Sequence, residues 1–188
     1  MKRFLDVVGA AVLLALTAPL IAVAALALRI RHGGPVLFRQ RRSGRGGAPF
    51  ELLKLRTMSD PRPGREGPEF DAERMHRLGG WLRATSIDEL PELINVLRGE
   101  MSFVGPRPER PQFVDMLNRE VRYYSVRHCM KPGLTGWAQL RYPYGASVND
   151  AAEKLRYDLF YVKNHGLLFD LLIMLQTVEV VMFGRGAR

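Results

Sequence analysis

The longest apolar stretch of the chain lies close to its N-terminus. Val7 to Leu28 contains 22 residues without a charged side chain, close to the roughly 20 apolar residues that cross a bilayer as a helix. After it, apolar and polar positions alternate over shorter distances, as in strands and amphipathic helices. The pattern predicts a membrane-embedded helix followed by a folded body.

Pro19 and the flanking charges determine how this helix is expected to meet the membrane. Proline removes a helical hydrogen bond, and the hydroxyl of Thr17 can bond a freed carbonyl, so a break is predicted at Ala18–Pro19. Basic flanks favour the cytoplasmic side, and here both flanks are basic. They contain Lys2 and Arg3 before the run, and Arg29, Arg31, Arg39, Arg41 and Arg42 after it. A re-entrant helix is therefore favoured over a straight span.

A cleaved signal peptide is a weaker alternative for the same segment. The small residues that would precede a cleavage site lie in "AVAAL", but the apolar run continues past them and ends in arginines. This continuation is not typical of a cleaved signal.

The body begins with a predicted β-hairpin. Val36–Gln40 and Phe50–Leu55 have the composition of short strands, and a stretch rich in glycine and arginine lies between them. Residues 59–70 contain three prolines and little apolar surface, which predicts a loop. Helical periodicity follows in four segments: Asp71–Arg83, Asp88–Met101 with an end near Gly99, Pro111–His128, and Val148–His165 with Asn149 or Asp150 as its cap.

Two segments between these helices are predicted to lack regular structure. "SFVGPRPERP" contains three prolines, and "KPGLTGW" is predicted to be a turn. The final apolar segment, residues 166–184, is interrupted by Asp170 and Glu179, which favours a buried or interfacial amphipathic helix over a second span. The predicted fold class is α+β and mainly helical, with a Pro-broken re-entrant membrane helix (residues 1–32) and a membrane-associated domain on the cytosolic side (residues 33–188) that contains a small β-hairpin and amphipathic surface helices.

Charge is concentrated at one end of the chain. Residues 1–65 contain 12 Lys or Arg and three acids, whereas residues 66–188 contain 16 of each sign, so the first segment carries the whole net charge of +9. Next to an apolar run, such charge favours anionic lipids or phosphorylated ligands. No nucleic-acid-reading motif accompanies it. The single cysteine, Cys129, excludes an internal disulfide, and the four histidines lack the spacing of a zinc site.

Two adjacent carboxylates, Asp88 and Glu89, lie in "ATSIDELPEL" where a helix is predicted to begin. They have a structural interpretation, because Ser86 and Glu89 match a capping box. Alternatively, Asp88 is the N-cap and Pro91 lies in the first turn. In either case the helix N-terminus is expected to keep Asp88 ionised.

Basic residues near the carboxylate pair suggest chemistry as well as capping. Arg83 precedes the pair, Arg107 lies in "GPRP", and Lys54 and Arg56 lie in "LLKLRTM". Carboxylates that bind a hard cation, together with basic side chains that bind phosphate oxygens, suit a magnesium-bound diphosphate. Arginines scattered over the surface are the alternative.

Seven segments in order resemble one family over nearly the whole chain. They are "KRFLD", the apolar run with its proline, "GPVLFRQRRSG", "KLRTM", "TSIDELPELINVLRGEMSFVGPRP", "KPGLTGWAQL" and "YDLFYVKN". Together they resemble the bacterial sugar transferases, which are small monotopic polyprenyl-phosphate phosphoglycosyl transferases. This implies that a sugar 1-phosphate moves from a UDP-sugar to undecaprenyl phosphate at the cytoplasmic face of the bacterial inner membrane, with release of UMP. Such a reaction begins the assembly of capsule, exopolysaccharide, O-antigen or glycoprotein glycans.

The resemblance also implies roles for individual residues. Asp88 would be the nucleophile and a magnesium contact, and Glu89 would assist metal binding or proton transfer. Lys54, Arg83 and Arg107 would contact phosphate. The resemblance also implies that Lys2 and Arg3 lie near the polyprenyl phosphate, and that Thr135 and Gln139 line the nucleotide side.

Several features stay open at this stage. Trp137 is expected in the core, and His128 is expected to be a packed or surface residue rather than a general base. "RYPYGAS" departs from the segment rich in Asn, Gly and Arg found here in many relatives, so no sugar contact is carried over and a hexose such as glucose or galactose is favoured. Inner-membrane lipids are expected partners, and homodimer formation is left open. A non-catalytic scaffold is the rival function, although the intact Asp88–Glu89 pair argues against it.

Overall fold

A computed structural model gives the structure of residues 1–60, 70–142, 145 and 147–183, without the side chains of His32, Met182 and Phe183. The apolar run forms helix α1, Lys2–His32, which is continuous and contains Pro19. The predicted break at Ala18–Pro19 is therefore not confirmed. Among the described residues, α1 is the one helix long and apolar enough to cross a membrane.

The predicted hairpin is confirmed. Strands β1 (Leu37–Ser43) and β2 (Pro49–Leu55) pair antiparallel from Leu37 opposite Leu55 to Ser43 opposite Pro49. A 3-10 turn at Arg45–Gly47 connects them. The side chains of Leu52, Leu53 and Leu55 are buried, so β2 contributes to the core.

A second, parallel sheet lies where no regular structure was predicted. β3 (Ser102–Val104) pairs with β4 (Gly133–Thr135). The prediction was wrong for these two segments because the prolines follow β3 and precede β4, where they do not interrupt the pairing. Residues 105–110 are irregular, as predicted.

The central helices are more divided than the periodicity predicted. Residues 71–83 form two helices, α2 (Asp71–Arg74) and α3 (Arg77–Ala84), because the extended backbone at Met75 pairs with Met58. The next helix, α4 (Glu92–Arg98), ends at Gly99 as predicted, with Gly99 in the left-handed conformation. The loop predicted over residues 59–70 lies largely outside the described residues.

The C-terminal half is helical. Helix α5 (Pro111–Glu120) stops well before His128, and a 3-10 segment at Tyr124–Cys129 follows it. The remaining helices are α6 (Trp137–Arg141), α7 (Val148–Asn164) and α8 (Leu167–Phe183). The cap of α7 is a correction: Ser147 is the N-cap, in a reciprocal capping box with Asp150, and Asn149 takes no part in it.

Helix α1 packs on the body on both sides of Pro19. Ala10 belongs to a core cluster with Leu93 and Val96 of α4, and Leu28 belongs to another with Leu82 of α3. The opposite face of α1 is apolar and exposed; it contains Phe4, Leu5, Val8, Val12, Leu16, Leu20, Val23, Leu26 and Ile30. Helix α8 also buries one side, through Ile173, and exposes leucines on the other.

Candidate active site

The carboxylate pair lies in a 3-10 turn, Ile87–Glu89, directly before α4. Ser86 precedes the turn in the left-handed conformation, with φ of 56°, and its side chain caps nothing. Pro91 is the N-cap of α4 and also makes no side-chain cap. Both predicted capping arrangements are therefore wrong, and the pair is free of a capping role.

Two basic residues pair with the acids of this turn. Lys54, near the end of β2, places its Nζ 2.5 Å from Oε1 of Glu89. Arg107 places Nη2 3.3 Å from the same oxygen. The predicted gathering of Lys54 and Arg107 around the carboxylate pair is thus present in the structure.

Glu92 is a third acid of the cluster that was missed in the sequence. Its Oε1 lies 3.1 Å from Nζ of Lys54, and the residue is only 4% exposed. Lys54 therefore lies between two carboxylates. The signal was present in "DELPEL", because a residue three positions after Glu89 returns to the same side of a helical turn.

Asp88 differs from both glutamates. Among the described residues, its carboxylate makes no ion pair and no hydrogen bond to another side chain, and its one hydrogen-bonding influence is its own backbone. It is nevertheless only 5% exposed. Burial raises the pKa of Asp88 to about 6, and Glu89 adds to the rise, while Lys54 and Arg83 oppose it. With a pKa of about 6 the group is still largely ionised at neutral pH, as expected from the sequence, although burial works against its ionisation.

The neighbouring glutamates have opposite shifts. Burial alone would raise the pKa of Glu89, but the charges of Arg107 and Lys54 outweigh it and the pKa is lowered. For Glu92, burial dominates and the pKa is raised, since Glu89 lies close and Lys54 is shared. Glu89 is thus the anion that holds the basic groups, and Asp88 is the acid without such a partner.

Arg83 approaches from α3. Its Nη1 lies 3.6 Å from Sδ of Met58, its side chain is exposed, and its charge favours the ionised form of Asp88. Among the described residues it makes no ion pair. Arg56, by contrast, pairs with Asp60.

The loop that carries Arg107 is fixed through its backbone. The carbonyl of Arg107 accepts from Arg127, that of Pro108 accepts from Arg42, and that of Pro106 accepts from the backbone N–H of Gly133. Arg127 is buried and paired with Asp158 at 2.8 Å. Prolines and these bonds together restrict the backbone from which the Arg107 side chain extends.

Other predicted site residues make contacts elsewhere. Thr135 shares a 2.7 Å hydroxyl contact with Thr177 of α8, and Nε2 of Gln139 donates to the carbonyl of Leu134. Arg3 donates to the carbonyls of Val96 and Leu97 at the end of α4. No described hydrogen bond or ion pair connects these residues to the Asp88–Glu89 turn.

Lys2 and the helix-break pair also lie apart from this turn. Lys2 pairs with Asp170 of α8, and Ala18 and Pro19 are exposed on α1.

Trp137 and His128 are packed against other side chains, as the sequence predicted. The ring of Trp137 lies 5.1 Å from that of Phe169 and 6.3 Å from that of Phe160. Burial, with the charge of Arg127, lowers the pKa of His128 to about 4. His128 is therefore uncharged at neutral pH and lies outside the carboxylate turn.

Comparison with known proteins decides the family. The model of the family described as "Bacterial sugar transferase" matches residues 1–184. The chain belongs to the bacterial sugar transferase family. The resemblance drawn from the seven sequence segments is thereby confirmed.

Named relatives of this bacterial sugar transferase share between a third and a half of its residues. The UDP-N-acetylgalactosamine-undecaprenyl-phosphate N-acetylgalactosaminephosphotransferase of Aeromonas hydrophila is 38% identical, over 100% of this chain and 45% of its own length. The UDP-glucose:undecaprenyl-phosphate glucose-1-phosphate transferase of Caulobacter vibrioides is 47% identical, over 96% of this chain and 69% of its own. The enzyme of that same name from Escherichia coli is 38% identical, over 95% of this chain and 39% of its own length. The chain thus spans less than half the length of two of the three relatives.

Proposed function

We propose that this protein transfers a sugar 1-phosphate from a UDP-sugar to undecaprenyl phosphate and releases UMP. The observation that carries the proposal is the Asp88 carboxylate, which is buried, unpaired among the described residues and next to a cluster of Lys54, Arg83 and Arg107. A carboxylate with spare lone pairs beside phosphate-binding cations is suited to nucleophilic attack on phosphorus. The names of the relatives support this choice of donor and acceptor.

The reaction proceeds in two displacements at one phosphorus. An oxygen of ionised Asp88 forms a bond to the phosphorus that bears the sugar, and the bond from that phosphorus to the bridging oxygen of UMP breaks. UMP leaves with the electron pair, and a phosphosugar remains on Asp88. A phosphate oxygen of undecaprenyl phosphate then attacks the same phosphorus and restores the Asp88 carboxylate. The products are undecaprenyl diphosphate sugar and UMP.

The basic residues bind and orient the donor. Lys54 and Arg107 both pair with Glu89, and Lys54 also pairs with Glu92, so their positive charges lie next to the turn. Arg83 supplies a third positive charge from α3. Their common task is to reduce the repulsion between the Asp88 anion and the anionic diphosphate and to stabilise charge on the transferring group.

The donor set fits the magnesium ion that the family resemblance implies. Asp88 and Glu89 offer carboxylate oxygens, which Mg²⁺ prefers, and no described group of three Asp, Glu, His or Cys encloses a metal. The remaining ligands would be substrate phosphates and water, which is the usual mode for this ion. When bound, magnesium supplies charge neutralisation at the diphosphate.

The proposed site of action is the cytoplasmic face of the bacterial inner membrane, with the protein inserted from that face. The support is that both ends of α1 contact the same body: Lys2 pairs with Asp170, and Leu28 packs on Leu55. A straight span would separate the two ends by the thickness of the bilayer, about 30 Å. The Thr17 hydroxyl donates to the carbonyl of Leu13, and with Pro19 this provides a point at which α1 can bend in the membrane.

Cysteine labelling tests this topology. In a Cys129→Ser background, since Cys129 is exposed, single cysteines are placed before Phe4 and after His32. Both are expected to react with an impermeant reagent from the cytoplasmic side only. Reaction from opposite sides of the membrane would establish a span.

UMP release tests the activity. Purified protein with undecaprenyl phosphate, magnesium and UDP-glucose is expected to release UMP, with UDP-galactose and UDP-N-acetylgalactosamine as the other donors of the panel. Asp88→Asn should abolish release while the protein stays folded and membrane-bound. Full activity of Asp88→Asn would refute the nucleophile, and no UMP from any nucleotide sugar would favour the scaffold.

A further inference from the structure

Lys2, at the start of α1, has a partly exposed side chain but contacts a buried set of partners that reaches the loop of Arg107. Nζ of Lys2 lies 2.5 Å from Oδ2 of Asp170, 3.2 Å from the carbonyl oxygen of Val104 and 3.5 Å from the hydroxyl of Tyr161. Asp170 belongs to α8 and Tyr161 belongs to α7. The network therefore connects three helices to the last residue of β3.

The donors of Lys2 are fully used within the protein. An ammonium group has three N–H bonds, and three acceptors surround this one. Its partners are shielded from water, because Tyr161 is 1% exposed, Val104 is 1% exposed and Asp170 is 5% exposed. Leaving Asp170 without Lys2 would bury an uncompensated charge, which is costly. An arrangement of this kind leaves Lys2 no N–H for a lipid phosphate.

The hydroxyl of Tyr161 strengthens the dependence of Val104 on Lys2. The hydroxyl lies 2.7 Å from Oδ1 of Asp170 and 3.1 Å from the carbonyl of Val104, but it has one proton to donate. The shorter contact, to a carboxylate, is the stronger bond. Lys2 is then the side-chain donor for the carbonyl of Val104.

Val104 is the anchor of the loop that carries Arg107. It lies three residues before Arg107, and the N–H of Gly105 donates to the carbonyl of Thr135. A shift of β3 at Val104 is transmitted along the proline-restricted segment to the guanidinium beside Glu89. We propose that Lys2 is a positioning residue that holds this loop in register with the membrane helix, and not a ligand of the polyprenyl phosphate.

This inference rests on the proposed function. The two half-reactions distinguish a positioning role of Lys2 from a role in binding the lipid phosphate. UMP release in a single turnover without undecaprenyl phosphate involves no lipid acceptor. Lys2→Met is expected to slow this step on the order of 10- to 100-fold, because small misplacements of a catalytic group have effects of that size. Lys163→Met, an exposed lysine of α7, is the matched control and should leave the step unchanged.

A double-mutant cycle distinguishes positioning from a general effect on the fold. In an Arg107→Ala background, Lys2→Met should cause little further loss of UMP release, since both changes remove the same contribution. The double variant Lys2→Met, Asp170→Asn removes both charges of the pair. It should therefore remain folded even if Lys2→Met alone does not. Its single-turnover UMP release should still be slow.

Three results would overturn the inference or its premise. Wild-type UMP release by Lys2→Met with a raised KM for undecaprenyl phosphate would make Lys2 a lipid ligand. Additive losses with Arg107→Ala would indicate a role in folding alone. Absence of UMP release from the wild-type protein with any donor would refute the proposed function itself.

Discussion

At the residue scale, the candidate nucleophile is held in an unfavourable environment. Asp88 is 5% exposed, and among the described residues neither a cap nor an ion pair compensates its charge. Its pKa is raised from 3.8 to about 6, chiefly by burial. The folded state therefore binds this proton more tightly than the unfolded state, and ionisation of Asp88 reduces stability as pH rises from about 4 to about 6.

Asp88→Asn is expected to stabilise the fold at neutral pH. The substitution removes the cost of the buried charge, which for a shift of this size is about 3 kcal/mol at most. The free energy of unfolding of the variant, measured in detergent, should exceed that of the wild type at pH 7.5. The difference should shrink as pH falls below about 6 and disappear only well below pH 4, where Asp88 is protonated in both states. Asp115→Asn, at an exposed position on α5, is the control, and a destabilised Asp88→Asn at pH 7.5 would contradict burial as the dominant cause.

The pH dependence of the first half-reaction should report the same group. Only ionised Asp88 can attack phosphorus, so single-turnover UMP release is expected to fall below about pH 6, by roughly tenfold per pH unit. The measurement is UMP release without acceptor between pH 4.5 and 8. A rate that stays flat down to pH 4.5 would place the nucleophile elsewhere or require a lower pKa in the complex.

At the element scale, the short parallel sheet brings the Arg107 loop into place. β3 and β4 approach so closely that a Cβ on Gly133 would lie 2.1 Å from the backbone nitrogen of Gly105. The loop begins at Gly105. The sheet was not predicted, because three-residue strands carry too little periodicity and the surrounding prolines favour irregular structure.

Gly133→Ala is expected to damage both stability and catalysis. The added methyl group has no space, so the strands must separate at a cost of about 1–3 kcal/mol. Arg107 should then move away from Glu89, and UMP release should fall. Thermal unfolding and single-turnover assays measure the two effects. Gly166→Ala, where a Cβ would meet nothing within 4 Å, is the control, and equal behaviour of the two variants would contradict the close-packing argument.

At the scale of the whole molecule, the long apolar helix α1 is part of the core. A stripe with spacings of three and four residues runs along the packed side of α1: Asp6, Ala10, Leu14, Thr17, Ile21, Ala24 and Leu28. Asp6 accepts hydrogen bonds from the Ser102 hydroxyl and the Phe103 N–H. The segment predicted as a separate membrane region thus shares two core clusters with the body.

The body is therefore not expected to fold without this helix. A chain of residues 33–188 would expose the surfaces that Ala10, Leu14, Ala24 and Leu28 cover. Burial of a few such side chains contributes several kcal/mol, which is comparable to the net stability of many domains, roughly 5–15 kcal/mol. Circular dichroism in detergent should show no cooperative thermal transition for residues 33–188, in contrast to the full chain. A cooperative transition would establish 33–188 as an independent domain.

The sequence by itself determined the features that depend on local pattern. These are the apolar helix, the hairpin, the end of α4 at Gly99, and the ordered motifs that identify the family. They follow from side-chain periodicity, from backbone preferences and from residues close together in the chain. The carboxylate pair, Asp88 and Glu89, was found in this way.

Only the tertiary structure decided which groups meet and what their surroundings do to them. Lys54 and Glu89 are 35 residues apart, and Lys2 and Asp170 are 168 apart, so no local pattern encodes their contact. Helix α1 is continuous through Pro19, and it packs on the body on both sides of this proline. The sequence shows the helix start at Asp88 but not the rise of its pKa to about 6, because burial is a property of everything packed around the residue.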